Sequence, residues 1–199
     1  MFITFEGGEG AGKTTLIDRL HTFLQKEGKS VLLTRAPGGT EVGALIRDIL
    51  LRHEPLSSRT ELFLFLADRS EHVAQIIRPA LANGAIVLCD RFNDSSVAYQ
   101  GVGRGFGEQW VAELCAFACD GLQPDLTFYL DLDPKIGLQR VQRTKDRIEG
   151  EKLAFHQKIR AAYLTIAKKE PARFHVLDAT KTPEEVFEEA CSHILSVIH

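Results

Sequence analysis

Residues 2–15 read Phe-Ile-Thr-Phe-Glu-Gly-Gly-Glu-Gly-Ala-Gly-Lys-Thr-Thr, and this stretch decides the fold. Its first four residues form an apolar strand candidate, and residues 7–14 match the pattern G-x-x-x-x-G-K-[ST]. The apolar spacing from Leu16 onward predicts that a helix follows directly. A strand, a glycine-rich turn and a helix in this order form a cradle for phosphate, because backbone N–H groups and the helix dipole face the anion.

The polar members of this cradle predict its ligand. Lys13 is expected to reach the β and γ oxygens of a nucleoside triphosphate, and the hydroxyl of Thr14 is expected to hold Mg²⁺. Glu9 repels phosphate, so we expect it to face the metal or a second substrate. The sequence thus predicts ATP and Mg²⁺ as ligands, and the residues expected to bind the nucleotide here are Gly7, Gly8, Glu9, Gly10, Ala11, Gly12, Lys13, Thr14 and Thr15.

Short apolar runs alternate with helical patterns along the rest of the chain. This alternation is typical of right-handed βαβ units, and it predicts an α/β fold with a doubly wound, five-stranded parallel sheet and helices on both faces. No repeat or linker divides the 199 residues, so we expect one domain over residues 1–199. The predicted strands are Phe2–Phe5, Val31–Leu33, Ile86–Cys89, Leu126–Leu132 and Phe174–Leu177.

Charge and cysteine content exclude several classes of protein. The net charge of −3 leaves no excess of lysine and arginine for a nucleic-acid or membrane surface, so we expect neither partner. No run approaches the ~20 apolar residues of a membrane span, and the first residues are too short for a signal peptide. The four cysteines form no C-x-x-C pair and indicate buried thiols of a reducing compartment. The expected location is the cytoplasm.

Two arginines follow predicted strands at the sheet edge where open α/β folds bind ligands. Arg35 follows the second strand and Arg91 the third, beside Asp90. Guanidinium groups bind phosphate through paired hydrogen bonds, and phosphoryl transfer between two anions needs such neutralisation. The alternatives are a surface arginine for Arg35 and a purely structural Asp90–Arg91 pair.

Two further groups of side chains are candidates for ligand contacts. Phe65 and Arg69 lie one turn apart on a predicted helix, so a ring and a donor could meet a nucleobase there, although core packing would explain them equally. A basic run over residues 140–147 fits either a solvated face or a lid, predicted at about 140–152, that closes over phosphates.

Taken together, these motifs resemble the thymidylate kinases of the bacterial type, within the P-loop nucleoside monophosphate kinase superfamily. The resemblance covers nearly the whole chain. It implies the P-loop kinase fold with a small lid, a homodimer, and transfer of the γ-phosphoryl group of ATP to deoxythymidine monophosphate (dTMP), giving dTDP and ADP. The segments that complete it are the Thr-Arg-x-Pro-Gly-Gly-Thr loop at 34–40, Asp90–Phe92, Ala98–Gly101, Asp146–Glu149 and Asp178–Thr180.

The resemblance also implies residue roles. The catalytic group comprises Lys13, Arg91, Glu9 and the lid arginines Arg143 and Arg147. Metal contacts are assigned to Thr14, Glu9 and Asp90. Arg140, Ala179 and Thr180 are expected around adenine. The residues expected to bind dTMP are Glu9, Arg35, Pro37, Phe65, Arg69, Asp90, Arg91, Ser96, Tyr99 and Gln100.

The chain departs from the family pattern at two informative positions. Gly10 stands where some relatives carry a P-loop arginine, so the lid arginines are expected to supply that charge. Ala36 stands where the family usually has a glutamate, and Glu61 or Asp68 is the expected replacement.

Two rival functions remain at this stage. A kinase for another nucleoside monophosphate or for a deoxynucleoside would use the same cradle, and the latter would need a carboxylate base for its hydroxyl acceptor. A nucleotide-dependent switch is disfavoured, because no Asn-Lys-x-Asp or Asp-x-x-Gly element of guanine-specific switches is evident.

Overall fold

The computed structural model describes residues 1–52, 54–140 and 146–198. Its sheet contains five strands, all paired in parallel, in the order β2-β3-β1-β4-β5. The predicted doubly wound fold is confirmed, and both ends of every predicted strand agree with those of an observed strand to within two residues. The strands are β1 (Phe2–Gly7), β2 (Val31–Arg35), β3 (Ile86–Asp90), β4 (Leu126–Asp131) and β5 (Phe174–Asp178).

Nine α-helices connect and cover the strands in the described part of the chain. Two π-helical stretches accompany them: Val73–Ile77 joins α3 to α4, and Val97–Gly103 continues α5. Such stretches are rare and concentrate at functional sites. The helices are α1 (Lys13–Lys26), α2 (Glu41–Leu51), α3 (Ser58–His72), α4 (Arg78–Ala82), α5 (Asn93–Ser96), α6 (Glu108–Ala118), α7 (Pro134–Arg140), α8 (Leu153–Lys169) and α9 (Pro183–Ile198).

Alternate residues of the strands pack into the hydrophobic cores on the two faces of the sheet. Ile3 and Phe5 pack with residues of α1 and α9 on one face of the sheet. Tyr129 packs with α8 on the other face, and Val87 packs there with the stretch between α3 and α4. Because strand side chains point alternately to opposite faces, apolar residues at successive positions require helices on both sides.

The strand order brings the carboxyl ends of β1, β3 and β2 together. The chain first builds outward from β1 toward β2 and later turns to β4 on the other side, which opens a crevice beside β1. Two backbone hydrogen bonds hold the loops there: Ala36 N donates to Asp90 O, and Arg91 N donates to Phe5 O. Each helix in the described ranges falls short of the length and apolarity that a membrane span demands.

Candidate active site

The P-loop connects β1 to α1 at the carboxyl edge of the sheet. Gly10 and Gly12 adopt φ values of 68° and 92°, a region that favours glycine. Lys13 begins α1, and its Nζ donates to Gly7 O and Gly8 O, both at 3.1 Å. Burial, followed by the nearby charge of Arg91, lowers the pKa of Lys13. The loop therefore holds a buried cation beneath a turn lined by backbone amides.

Helix α7 touches the P-loop so closely that two glycines are required. A Cβ on Gly10 would lie 2.3 Å from Gly137 O, and a Cβ on Gly137 would lie 2.2 Å from Glu9 O. Arg140, at the end of α7, donates from Nη1 to Gly10 O at 3.3 Å. The contact leaves no space for a side chain at position 10, which gives a physical reason why no arginine stands there.

Arg91 lies at the carboxyl end of β3 with an unusual backbone. Its φ of 68° is uncommon for a residue with a side chain, and such strain concentrates at functional sites. Its Nη2 donates to Glu9 Oε1 at 2.6 Å, and its guanidinium lies 5.4 Å from the ring centroid of Tyr99. The strained backbone thus directs a partly buried cation toward the P-loop glutamate.

Glu6 fixes the turn that carries Arg91. Its buried carboxylate accepts hydrogen bonds from Phe92 N at 2.8 Å, from Ser95 Oγ at 2.6 Å and from Tyr163 OH at 2.8 Å. Burial, followed by the charge of Asp94, raises the pKa of Glu6, while Arg91 and the hydrogen bonds act against that rise. One carboxylate near the end of β1 therefore holds the turn after β3, helix α5 and helix α8 together.

A cleft of about 580 Å³ lies above the sheet edge. Asp90 lies in its wall, and the Oδ1 atom of Asp90 is buried without a hydrogen-bond partner in the described ranges. The side chains and loops lining the cleft include Glu9, Gly10, Ala11, Gly12, Lys13, Thr14, Thr15, Arg35, Pro37, Arg47, Phe65, Arg69, Asp90, Arg91, Ser95, Ser96, Tyr99, Gln100, Arg140, Asp146 and Glu149.

Arg69 lines the cleft from the last turn of α3. It is 2% exposed, and its guanidinium stacks 4.3 Å from the ring centroid of Phe92. Its Nε and Nη1 atoms are buried and donate to no described residue. Unpaired buried donors are costly, so a ligand acceptor beside Arg69 in the cleft would satisfy them.

Glu61 collects several donors on α3 behind the same part of the cleft. It is 1% exposed and accepts from Gln100 Nε2 at 2.9 Å, from Arg104 Nε and Nη2 at 3.0 Å each, and from Arg147 Nη1 at 2.7 Å. Burial opposes the ionisation of Glu61, but these donors outweigh it and lower its pKa. Arg147 also donates from Nε to Leu50 O at 3.1 Å.

The loop after β2 rests on two buried side chains of α3. Asp68 Oδ1 accepts from Gly38 N at 2.8 Å, and His72 Nε2 shares a 2.7 Å hydrogen bond with the hydroxyl of Thr34. The peptide bond between Ala36 and Pro37 is cis. Asp68 therefore supports the backbone of this loop, whereas Glu61 binds Gln100, Arg104 and Arg147. The expected replacement for a glutamate at position 36 would instead have aligned Arg35 or the metal.

A second pocket of about 230 Å³ adjoins the P-loop on the β4 side. Ala179 lines it, together with Thr15, Arg140, Lys181 and Pro183. Thr180 does not line this pocket, and its hydroxyl and backbone N–H both donate to Asp178 Oδ1. The pocket has the mixed apolar and cationic walls that suit a purine next to a phosphate chain.

Comparisons with known proteins decide the family. The family model described as thymidylate kinase matches residues 5–190. The chain belongs to the thymidylate kinase family. A thymidylate kinase from Nitratidesulfovibrio vulgaris is 48% identical to it, covering 100% of this chain and 97% of that protein. One from Solidesulfovibrio magneticus is 50% identical over 94% of this chain and 95% of the relative. The crystal structure of thymidylate kinase from Ehrlichia chaffeensis superposes with a TM-score of 0.81 at 36% identity, covering 98% of each chain.

Most residues predicted to bind ligands meet in the one cleft of this thymidylate kinase family member. Exceptions are Gly7, which lies below the P-loop as the acceptor for Lys13, and Gly8, which lines a small cavity behind it. Three more lie outside the cleft wall: Ala179, which lines the second pocket, Thr180 and Arg147. Arg143 falls in 141–145, outside the described residues, so its role stays a prediction.

Sequence reasoning missed several residues that shape the cleft. Arg47 donates from Nη1 to Pro37 O at 2.9 Å and lines the cleft from α2. Ser95 links Glu6 to Arg91, because its Oγ lies 3.3 Å from Arg91 Nη1. Both residues lie in helices of ordinary composition, so nothing in the sequence indicates that they belong to the site. Only their contacts in three dimensions show it.

Proposed function

We propose that this protein transfers the γ-phosphoryl group of ATP to dTMP, forming dTDP and ADP. The observation that carries the proposal is the cleft that joins the cations of Lys13 and Arg91 to two buried donors of Arg69 that no described residue accepts. The first two suit a donor and an acceptor phosphate, and the third suits a nucleobase. The relatives of this chain carry the name of that activity.

The chemistry proposed is in-line displacement. An oxygen of the dTMP phosphate attacks the γ-phosphorus, and the bond from that phosphorus to the β–γ bridging oxygen breaks, so ADP leaves with the electron pair. Lys13 and the P-loop amides hold the donor phosphates, while Arg91 and Arg35 hold the acceptor phosphate. Because that acceptor is already ionised, the reaction needs positioning and charge stabilisation rather than a strong base.

Glu9 favours a phosphate acceptor over a hydroxyl acceptor. A deoxynucleoside kinase would need a carboxylate available to take the hydroxyl proton. In this chain the Glu9 carboxylate pairs with Arg91 at 2.6 Å, so it is already engaged in orienting the arginine. This pairing supports dTMP rather than thymidine as the acceptor.

The proposal includes Mg²⁺, and the residues present fit it. Thr14 and Asp90 both line the cleft, and Asp90 Oδ1 is a buried oxygen lacking a partner in the described chain. Hydroxyl and carboxylate oxygens, with phosphate oxygens, are the ligands that Mg²⁺ prefers. Bound there, Mg²⁺ would neutralise charge that develops on the transferring phosphoryl group. Thr14, Asp90 and Glu9 are the proposed holders.

Base and sugar recognition are proposed for the far end of the cleft. Arg69 would donate to a base oxygen, and Phe65 would stack on the ring. Tyr99 lies beside Arg91 in the π-helical stretch, where it would crowd a 2′ hydroxyl and favour deoxyribose. Gln100, Ser96 and Pro37 complete the proposed acceptor wall.

The lid arginines complete the proposal. Arg140 already touches the P-loop through Gly10 O, next to the proposed adenine pocket. Arg147 is engaged by Glu61 in this conformation, so a direct contact with phosphate would require its release. Arg143 is proposed as the other lid cation.

A homodimer is proposed from the apolar side chains that α3 and α6 leave in solvent. Phe63 is 61% exposed, Trp110 48% and Phe117 87%. Large apolar side chains clustered on adjacent helices mark protein interfaces. Phe117→Glu should shift the dimer to monomer in sedimentation velocity, whereas Val197→Glu, at an exposed apolar position on α9, is the control.

The cytoplasm is the proposed compartment, because all four cysteines are buried and free. Reduced thiols persist in that environment. Fluorescence microscopy of a tagged full-length chain tests the assignment.

The central experiment is an acceptor panel with ATP and Mg²⁺, read as ADP release. We expect dTMP to exceed thymidine and the other nucleoside monophosphates by orders of magnitude in kcat/KM. Faster turnover of thymidine would replace the proposal with a nucleoside kinase, and tight ATP binding with no accepted substrate would replace it with a nucleotide binder. Omission of Mg²⁺ should abolish turnover.

A further inference from the structure

Gln100 is the side chain whose orientation decides what the base end of the cleft offers. Its planar amide carries a donor at Nε2 and an acceptor at Oε1, and the two present opposite signals to a nucleobase. Gln100 is 1% exposed and lines the cleft. Only a fixed amide can discriminate between bases, because a freely rotating one would serve either edge.

Glu61 supplies that fixation. A carboxylate accepts hydrogen bonds and donates none, so the amide atom 2.9 Å from Glu61 must be the nitrogen. The carboxylate stays ionised because it also receives Arg104 twice and Arg147 once. The carbonyl oxygen is then the end of the Gln100 amide that Glu61 does not occupy.

We propose that Glu61 is a positioning residue for base specificity, which locks the Gln100 amide with its carbonyl oxygen toward the base and so selects an imide N–H over cytosine. This inference rests on the proposed function. Arg69 supplies the other contact to the base, because its two buried atoms without a partner in the described part of the chain are both donors.

The base edges explain the selection. Thymine and uracil present an oxygen at C4 beside an N3–H donor, which matches the Arg69 donors beside the Gln100 acceptor. Cytosine presents an amino group at C4 beside an N3 acceptor, so it would oppose both protein groups. Sites built in this way reject the mismatched analogue because their buried polar atoms stay unpaired.

The test is Glu61→Gln, assayed with dTMP, dUMP and dCMP as acceptors at saturating ATP. An amide at position 61 can donate as well as accept, so Gln100 can turn its nitrogen to the cleft. We expect the dTMP/dCMP ratio of kcat/KM to fall about 10-fold or more, the scale of one buried hydrogen bond. The dTMP/dUMP ratio should stay unchanged, because both bases carry the same imide edge.

The controls separate positioning from general damage. Glu151→Gln removes the other carboxylate bound to Arg104 without touching Gln100, so both ratios should stay at the wild-type value. A drop in all three acceptors at constant ratios in Glu61→Gln would mean a structural role and overturn the inference. Equal wild-type activity on dCMP and dTMP would instead refute the proposed base site, so the two failures are distinguishable.

A second variant covers the case in which Glu61→Gln does not fold. Gln100→Leu leaves Glu61 with its arginine partners and removes the amide alone. The inference requires its dTMP/dCMP ratio to fall about 10-fold or more, again at constant dTMP/dUMP ratio. Where Glu61→Gln does fold, adding it to Gln100→Leu should lower the ratio no further. An unchanged dTMP/dCMP ratio in Gln100→Leu overturns it.

Discussion

Gly137→Ala tests whether α7 holds the P-loop in its active shape. The added Cβ would lie 2.2 Å from Glu9 O, whereas carbon and oxygen atoms in contact need about 3.2 Å. The two backbones must therefore separate by about 1 Å. A shift of that size at a reacting centre costs on the order of 10²-fold in rate.

We expect Gly137→Ala to lower activity much more than stability. Overpacking costs typically 1–3 kcal/mol, and alanine in a helix regains about 1 kcal/mol over glycine, so we expect a net loss of about 0–2 kcal/mol in the free energy of unfolding. We expect kcat/KM for ATP to fall about 10²-fold while the protein stays folded.

The assay compares Gly137→Ala with Gln139→Ala, an exposed position on the same helix. Steady-state kinetics at varied ATP give kcat/KM, and calorimetric titration gives the affinity for ADP; both report on the P-loop. Urea unfolding gives the free energy of unfolding. Retention of kcat/KM within threefold of wild type, with normal ADP affinity, would refute the close contact as a constraint on the P-loop.

Three further changes probe other parts of the site. Arg91→Ala should lower kcat/KM by about 10³ or more, the scale of a transition-state arginine, with the surface variant Arg78→Ala as control; near-normal turnover would remove Arg91 from the mechanism. Arg69→Met should lower kcat/KM for dTMP about 10–100-fold without changing KM for ATP, and an equal loss for both substrates would contradict a base contact. Burial lowers the pKa of His72 to about 4, so protonation favours the unfolded chain. Its contribution to stability is complete above pH 6.5 and falls toward pH 4, by about 2 kcal/mol at pH 5. Urea unfolding at pH 7.5 and 5 should show that extra loss in wild type relative to His72→Gln, and parallel losses would disprove it.

Features encoded locally were predictable from the sequence. The P-loop and the strands follow from glycine spacing and from the length of apolar runs, and the strand order then places Arg35, Asp90 and Arg91 at one edge. The motif resemblance added Tyr99 and Gln100, which the cleft contains.

Features that depend on distant contacts were beyond prediction. In the sequence, Gly137 is an ordinary glycine of a short helix. Its importance follows only from the contact between its backbone and the P-loop. Glu61 or Asp68 was expected to replace a glutamate at position 36, but Glu61 instead gathers Gln100 and Arg104 from one segment and Arg147 from another. Sequence spacing carries no signal for such meetings, because the partners lie 39, 43 and 86 positions away along the chain.

The hydrogen bond between Glu6 and Tyr163 has a consequence during protein synthesis. These residues are 157 positions apart, yet both support the turn that aims Arg91. A ribosome-bound fragment that ends before α8 has β1 and the P-loop but lacks this brace. Competence to bind both substrates should therefore appear only after α8 has emerged and docked, which makes acceptor binding a reporter of complete folding.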